Sequence, residues 1–181
     1  MKSAGRFAVC GMLFCLTACG FHLRRATELP ADMRSIYISG GTAISGDTSG
    51  NLLRYLRRDL ATANCQVLDE PTKATAMLRI DNVQQDSTLL AISALGTPLE
   101  YKVTYRVDFS LLVGNAVLIE PQTLVLSRAY NYNISNAIAN QEQADALSGA
   151  MAIDMAQLIV FRIQAAARSA QLPPPHAGRS P

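Results

Sequence analysis

Histidine and charge are both scarce in this chain of 181 residues: there are two histidines, and charged residues make up 17%. His22 lies near the start and His176 in a proline-rich tail. Neither is placed to meet a nucleophile and an orienting acid, so a Ser-His-Asp type of site is not expected. Zinc sites built from Cys and His lack ligands. The glycines at 40, 41, 46 and 50 are not followed by a Lys-Ser/Thr pair, so no phosphate loop is read. The 14 acidic residues are scattered. Asp108 sits beside Arg106 on the polar side of a strand pattern, where a solvated charge is the ordinary reading. No enzyme, metal or cofactor is therefore expected. The net charge of +2 is also too small for a polyanion binder, and without a basic stripe no nucleic acid is expected as partner. No run reaches the roughly 20 apolar residues of a membrane-spanning helix. With 49% apolar residues and no long polar block, the chain is nonetheless rich enough to fold around a core.

Of the four cysteines, three fall within the first 19 residues. Lys2 and Arg6 form a positive start, Phe7 to Leu16 an apolar run, and small residues follow, which is the pattern of a secretory signal. It ends in Leu16-Thr17-Ala18-Cys19, which resembles a bacterial lipobox. That resemblance implies cleavage after residue 18. It also implies S-diacylglycerol and N-acyl attachment at Cys19, with the sulfur as nucleophile for the thioether. Several acyl chains hold firmly where one alone is marginal, at about 0.8 kcal/mol per buried CH₂. In Gram-negative lipoproteins an Asp after the cysteine commonly retains the protein at the inner membrane. Gly20 in that place implies sorting to the outer membrane, on its periplasmic side. Once residues 1–18 leave, Lys2 and Arg6 go with them, and the 16 basic residues fall to the number of acidic ones, 14. Only Cys65 then remains as a free thiol. It cannot form a disulfide within the chain and reads as a small buried residue at the start of a strand.

The remainder divides into a tether, residues 19–34, a single α/β domain over 35–169, and a disordered Pro-rich tail over 170–181. Ser35 to Ile38 alternates like a strand, and a Gly/Ser/Thr-rich loop over 39–50 follows. Leu52, Leu53, Leu56, Leu60 and Ala63 then recur at helical spacing, with Arg54, Arg57 and Arg58 on the other side. Asp47 or Ser49 is placed to cap this helix at its start and Asn64 at its end. Cys65 to Leu68 reads as a short strand broken by Pro71. Ala76 to Ile92 is a longer one whose phase shifts near Gln84-Gln85, the sign of a bulge. From Tyr101 to Leu111, apolar Tyr101, Val103, Tyr105, Val107, Phe109 and Leu111 alternate with Lys102, Thr104, Arg106, Asp108 and Ser110. One face of that strand is buried and the other wet. Gly114-Asn115 reads as a tight turn, leading into a return strand that ends at Tyr132 and carries a bulge or an edge position at Pro121. A second helix spans Gln141 to about Arg168, with Ala144, Leu147, Met151, Met155, Leu158 and Ile159 as its apolar stripe. The fold class expected is an α/β sandwich: a largely antiparallel or mixed sheet of about four strands covered by two helices, in the order β-α-β(β)ββ-α.

Cys19-Gly20-Phe21-His22-Leu23-Arg24, followed by Leu29-Pro30, resembles the start of the mature LptE family. The likeness continues in order through the Leu53–Leu60 helix, Gln66 to Asp69, Glu100-Tyr101, the Leu111–Ile119 hairpin and the last helix. It implies a non-catalytic outer-membrane lipoprotein that plugs the large LptD β-barrel, helps it assemble, and takes part in delivering lipopolysaccharide to the outer leaflet. A domain without net charge suits a wet barrel lumen. The family is also associated with lipopolysaccharide contact through basic loop residues. Here the stretches 93–96 and 137–141 carry none, and phosphate recognition needs such donors. Arg54, Arg57 and Arg58 are the substitute candidates for lipopolysaccharide or phosphate contact. Arg24 and Arg25 near the anchor are the other candidates for that contact, or favour an anionic bilayer surface. The rival reading is a generic outer-membrane lipoprotein that binds another envelope component or carries a lipid, for which an apolar pocket between sheet and helices would speak.

Overall fold

The computed structural model describes residue 29, residues 33–40 and residues 47–171. The leader, Cys19, the Gly20–Arg24 motif and the last ten residues lie outside that range. Eight elements follow one another: β1 (Ser35–Ser39), α1 (Asp47–Thr62), β2 (Gln66–Leu68), a 3-10 turn (Pro71–Lys73), β3 (Ala76–Ile92), β4 (Pro98–Val113), β5 (Ala116–Asn131) and α2 (Ala137–Gln171). The class is as expected, with five strands rather than about four, in the order β2-β1-β3-β4-β5. β1 lies between β2 and β3 and is parallel to both, whereas β3, β4 and β5 form an antiparallel meander. The helix between β1 and β2 supplies the crossover that a parallel pair requires.

Alternation decides which face is covered. Ile36 and Ile38 on β1, Leu78 and Ile80 on β3, and Val103, Tyr105, Val107, Phe109 and Leu111 on β4 all point to one side and are buried. Against them α1 sets Leu52, Leu56 and Leu60, and α2 sets Met151, Met155, Ile159 and Ile163, all fully buried. Each such side chain contributes roughly 1.5–3 kcal/mol when it leaves water. α2 is long and apolar enough to cross a membrane by length and composition, but its apolar side is the roof of this core.

Local signals set the boundaries. α1 closes in a Schellman arrangement. Asn64, with φ 59°, is the left-handed residue, and the Asn64 and Cys65 amides donate to the carbonyls of Ala61 and Leu60, at 3.1 and 3.0 Å. α1 begins one turn earlier than the leucine spacing suggests, at Asp47. The expected caps from Asp47 or Ser49 fall among side chains outside the described ones. α2 likewise begins at Ala137, four residues before the expected Gln141. Asn136 caps it, its Oδ1 accepting the Ala139 amide at 3.1 Å.

Two expectations about strands need correction. β3 departs from register between Ile80 and Asn82, and again between Leu89 and Ile92, not at Gln84-Gln85. At the first of these it is Asp81 that drops out of register, after which odd-numbered residues face the helices. Ser110, placed on the wet face, is buried. β5 is irregular opposite it, where Phe109 pairs with Gln122 and Leu111 with Ile119. Pro121 falls within that irregularity and on an edge strand, satisfying both alternatives for a proline in a sheet.

Gly40 shows how tightly β1 is held. Its φ is +111°, and a Cβ there would lie 1.8 Å from the Ile80 carbonyl oxygen. Gly40→Ala is therefore expected to cost about 3 kcal/mol or more, read as a lowered midpoint in urea unfolding. Val107→Asp, at a fully buried site, is expected to remove the cooperative thermal transition, since an unpaired buried charge is among the costliest changes. Arg106→Asp, on the exposed side of the same strand, should move the melting point little. Equal effects from that pair would mean the faces are assigned the wrong way round.

Cys65 is 2% exposed, and its Sγ donates to the Met33 carbonyl at 3.1 Å. Burial pushes its thiol up from 9.0 to about 11 and the Tyr105 hydroxyl from 10.0 to about 12. In both cases folding favours the neutral form. The associated stability is intact below pH 9 and is lost as pH rises through the folded values. Melting temperature should hold between pH 7 and 9 and fall steadily from 9 to 11. Iodoacetamide should label Cys65 only after denaturation.

Candidate functional site

Among the described residues no group of three or more His, Cys, Asp or Glu side chains could hold a metal. The chemistry of this molecule lies in its surfaces.

The three arginines expected on the outside of α1 are there, and each has a partner within the chain. The Arg54 Nη2 donates to Asn51 Oδ1 at 2.9 Å and to the Tyr55 hydroxyl at 3.3 Å. Arg57 pairs with Asp69 at 3.0 Å and Arg58 with Asp59 at 2.8 Å. Arg54 and Arg58 also flank the Tyr55 ring, at 5.0 and 5.1 Å from its centroid. This is a braced, exposed cationic strip and not three convergent donors. Exposed pairs of this kind contribute about 0.2–1 kcal/mol each.

Neither helix covers the other face of the sheet. Cross-strand register places Leu68, Tyr37, Met77, Leu112 and Val117 in one row across all five strands. Four of them are half-buried and Val117 is 49% exposed. Next to this apolar band the face becomes polar. Asp108 accepts from Asn82 Nδ2 at 3.2 Å and from Thr123 Oγ1 at 2.5 Å, and Thr104 meets Ser127 at 3.3 Å. Arg79 pairs with Asp81 at 2.9 Å.

β3, β4 and β5 continue beyond the core to a distal tip. There Leu89, Leu90, Ile92, Leu95, Leu99, Ile134 and Ile138 are all exposed, Leu95 at 94%. No charged residue lies between Asp86 and Glu100 or between Arg128 and Glu142. Asparagines hold the tip together. Asn140, buried, donates from Nδ2 to the Asn133 carbonyl at 2.7 Å and accepts the Asn133 amide at 2.9 Å. Sequence reasoning treated 133–141 as a loop and missed this junction, although an Asn just ahead of a helix-forming run is an available N-cap signal. Just inside the tip, Tyr130 stacks on Tyr101 with ring centroids 5.9 Å apart. Tyr101 also meets Tyr132 edge-on at 5.2 Å.

Between the sheet and the start of α2 lies a cleft of about 640 Å³. Its lining includes Asn51, Gln85, Tyr130, Gln141 and Asp145. None of these was read as a site residue from the sequence, because polar residues on a covered face carry no periodic signature.

Residues 33–163 match the family model described as LptE, Lipopolysaccharide-assembly. The chain is 27% identical over 155 residues to the LPS-assembly lipoprotein LptE of Yersinia enterocolitica, spanning 84% of this chain and 72% of that one. It is 26% identical over 157 residues to its namesake from Pectobacterium atrosepticum, spanning 86% and 82%. The fold is shared with the rare lipoprotein B of Shewanella oneidensis, with TM-score 0.64 and 20% identity over 76% of this chain and 99% of that one. It is shared equally with a lipoprotein B of Nitrosomonas europaea, with TM-score 0.65 and 25% identity over 84% and 94%. A family match across most of the described domain, on this five-stranded, two-helix frame, leaves one assignment: the chain belongs to the LptE lipopolysaccharide-assembly family.

Proposed function

We propose that the chain is a non-catalytic lipoprotein, anchored through Cys19 at the periplasmic side of the outer membrane. There it seats inside a large LptD-type β-barrel, supports that barrel's assembly, and takes part in delivering lipopolysaccharide to the outer leaflet. The observation that carries this reading is the family match over residues 33–163. Three physical features support it. The uncovered sheet face is mixed polar and apolar, which suits a wet, polar lumen better than a continuous apolar surface would. β3 has 17 residues, and at about 3.3 Å per residue it is roughly 55 Å long, more than the roughly 30 Å of hydrocarbon it would stand within. β1 begins beside the start of β3, so the chain enters the sheet at the end furthest from the tip. A lipid at one end and an uncharged tip at the other suit a plug that enters a barrel lengthwise.

The rival, a generic outer-membrane lipoprotein that binds another envelope component or carries a lipid, called for an apolar pocket between sheet and helices. The cleft found there is lined by amides, hydroxyls and a carboxylate, which speaks against a lipid ligand. Phosphate contact by the distal stretches 93–96 and 137–141 is not part of the reading, since they hold no Lys or Arg.

Photo-crosslinking residues placed at Leu95 and Ile138 in living cells should each give an adduct with a large β-barrel, and one at Lys73, near the opposite end, a weaker adduct or none. Cys19→Ala should release the chain from membranes. If affinity purification from outer membranes recovers no barrel, the plug reading fails. If Cys19→Ala still fractionates with membranes, the anchor assignment fails.

A further inference from the structure

The sheet and α2 part company at one level, and both change chemistry there. On the core side of that level, α2 contributes Met151, Met155 and Ile159 to the same buried cluster as Leu78, Ile80 and Phe109. Beyond it, the positions of α2 that line the gap are Gln141, Ala144, Asp145, Ser148 and Gly149. The covered face of β3 makes the same change: once the Asp81 bulge has reset its phase, the residues following Val83 on that face are Gln85 and Ser87. A packing defect would leave an apolar void. Here two elements far apart in sequence switch together to hydrogen-bonding groups, and the space between them is about 640 Å³, within the roughly 300–1,000 Å³ of small-ligand sites.

The groups present select a ligand class. Asn51, Gln85, Gln141, Ser87, Ser148 and Asp145 offer amide and hydroxyl donors and acceptors and one carboxylate, and no Lys or Arg lines the cleft. An anionic ligand would face Asp145 without a countercharge, and an apolar one would desolvate the amides with nothing in return. A neutral polyhydroxylated ligand satisfies them. Two contacts hold the frame in place: Ser148 Oγ donates to Gln85 Oε1 at 2.6 Å across the gap, and Gln141 Nε2 donates to Asp145 Oδ1 at 2.9 Å along the helix. Tyr130 adds an aromatic wall. Its ring is pre-oriented by stacking on Tyr101, so it offers a face to the C–H side of a sugar ring with little left to immobilise.

We propose that this cleft is a saccharide site, with Tyr130 as the stacking surface and Gln85, Ser87, Gln141 and Asp145 as the hydrogen-bonding set. The site rests on the proposed assembly role only for the source of its ligand, the sugar portion of lipopolysaccharide. The chemistry of the lining stands without that role.

Gly149 gives a test that does not endanger the fold. It lines the cleft, and a Cβ built on it meets nothing within 4 Å. Gly149→Leu therefore places a side chain in the gap, removes no polar group, and replaces a helix-interior glycine. The full-length chain in detergent is titrated with delipidated, dephosphorylated lipopolysaccharide core oligosaccharide, with maltohexaose in a parallel arm, and binding is read by saturation-transfer NMR. The wild-type chain should give a saturable signal with the core oligosaccharide, at least about tenfold weaker in Gly149→Leu and in Tyr130→Ala, while Gly149→Leu melts no lower than wild type. Equal binding of maltohexaose would keep the saccharide site and overturn the lipopolysaccharide source. No saturable signal at about 1 mM, or the same signal from Gly149→Leu, would overturn the site. Barrel recovery by the wild-type chain is scored separately. Its absence counts against the assembly role and leaves the saccharide site to stand or fall on the titration.

Discussion

A β-strand has two faces, and among the described residues this sheet has helices for only one of them. Every strand that contributes to the core must therefore keep its apolar residues in phase with its neighbours, because a slip of one residue would turn the set toward water. β4 keeps that phase without interruption from Val103 to Leu111, with five apolar side chains buried. It is the strand on which the others are registered, β3 on one side and β5 on the other. Both neighbours depart from strict alternation, β3 at Asp81 and β5 around Pro121, and each resumes with the correct face inward. The helices follow from the same requirement. Leu52, Leu56 and Leu60 on α1, and Met151, Met155, Ile159 and Ile163 on α2, are the roof this single apolar face needs.

How legible each strand was depends on how sharply its two faces differ. β4 alternates between side chains of opposite character, so its buried face could be read directly. The phase of β3 was harder. Leu78 and Ile80 fix one phase and Val83 the other, so the reset must lie between them, at Asp81. The run Asn82, Gln84, Gln85 and Asp86 is polar on both sides, and that erased the signal which would have located it. The α1 terminus was legible because Asn64 is one of the few residues that accepts a left-handed backbone. The α2 start was misplaced because Ala137-Ile138-Ala139 looks like any small apolar segment until Asn136 is recognised as its cap. The fifth strand, β2, has three residues and is held by pairing with β1 rather than by a pattern of its own.

The functional surfaces were less legible than the fold, for a related reason. Periodicity reports where apolar residues are needed. It says little where a covered position is polar, and the cleft is made of such positions: Gln85 and Ser87 on β3, Gln141 and Asp145 on α2. The arginines of α1 stood out because charge is scarce in this chain. The structure gives each of them a partner already, in Asn51 and Tyr55, Asp69 and Asp59.

The arrangement along the sheet separates stability from contact. Buried residues are concentrated where both helices lie on the strands, between Ile36 and Leu78 at one end and Val103 at the other. Past Val103 the same strands carry exposed leucines, tyrosines stacked on one another, and two long stretches without charge. A tip with those residues contributes little to the core, and large apolar side chains left in water have a desolvation gain available to whatever covers them. The strands there are held instead by backbone ladders and the asparagine junction at Asn133 and Asn140. Identity of 27% or less to LptE relatives is compatible with such a frame, in which one face of one sheet must keep its apolar character while the tip adds little to the core.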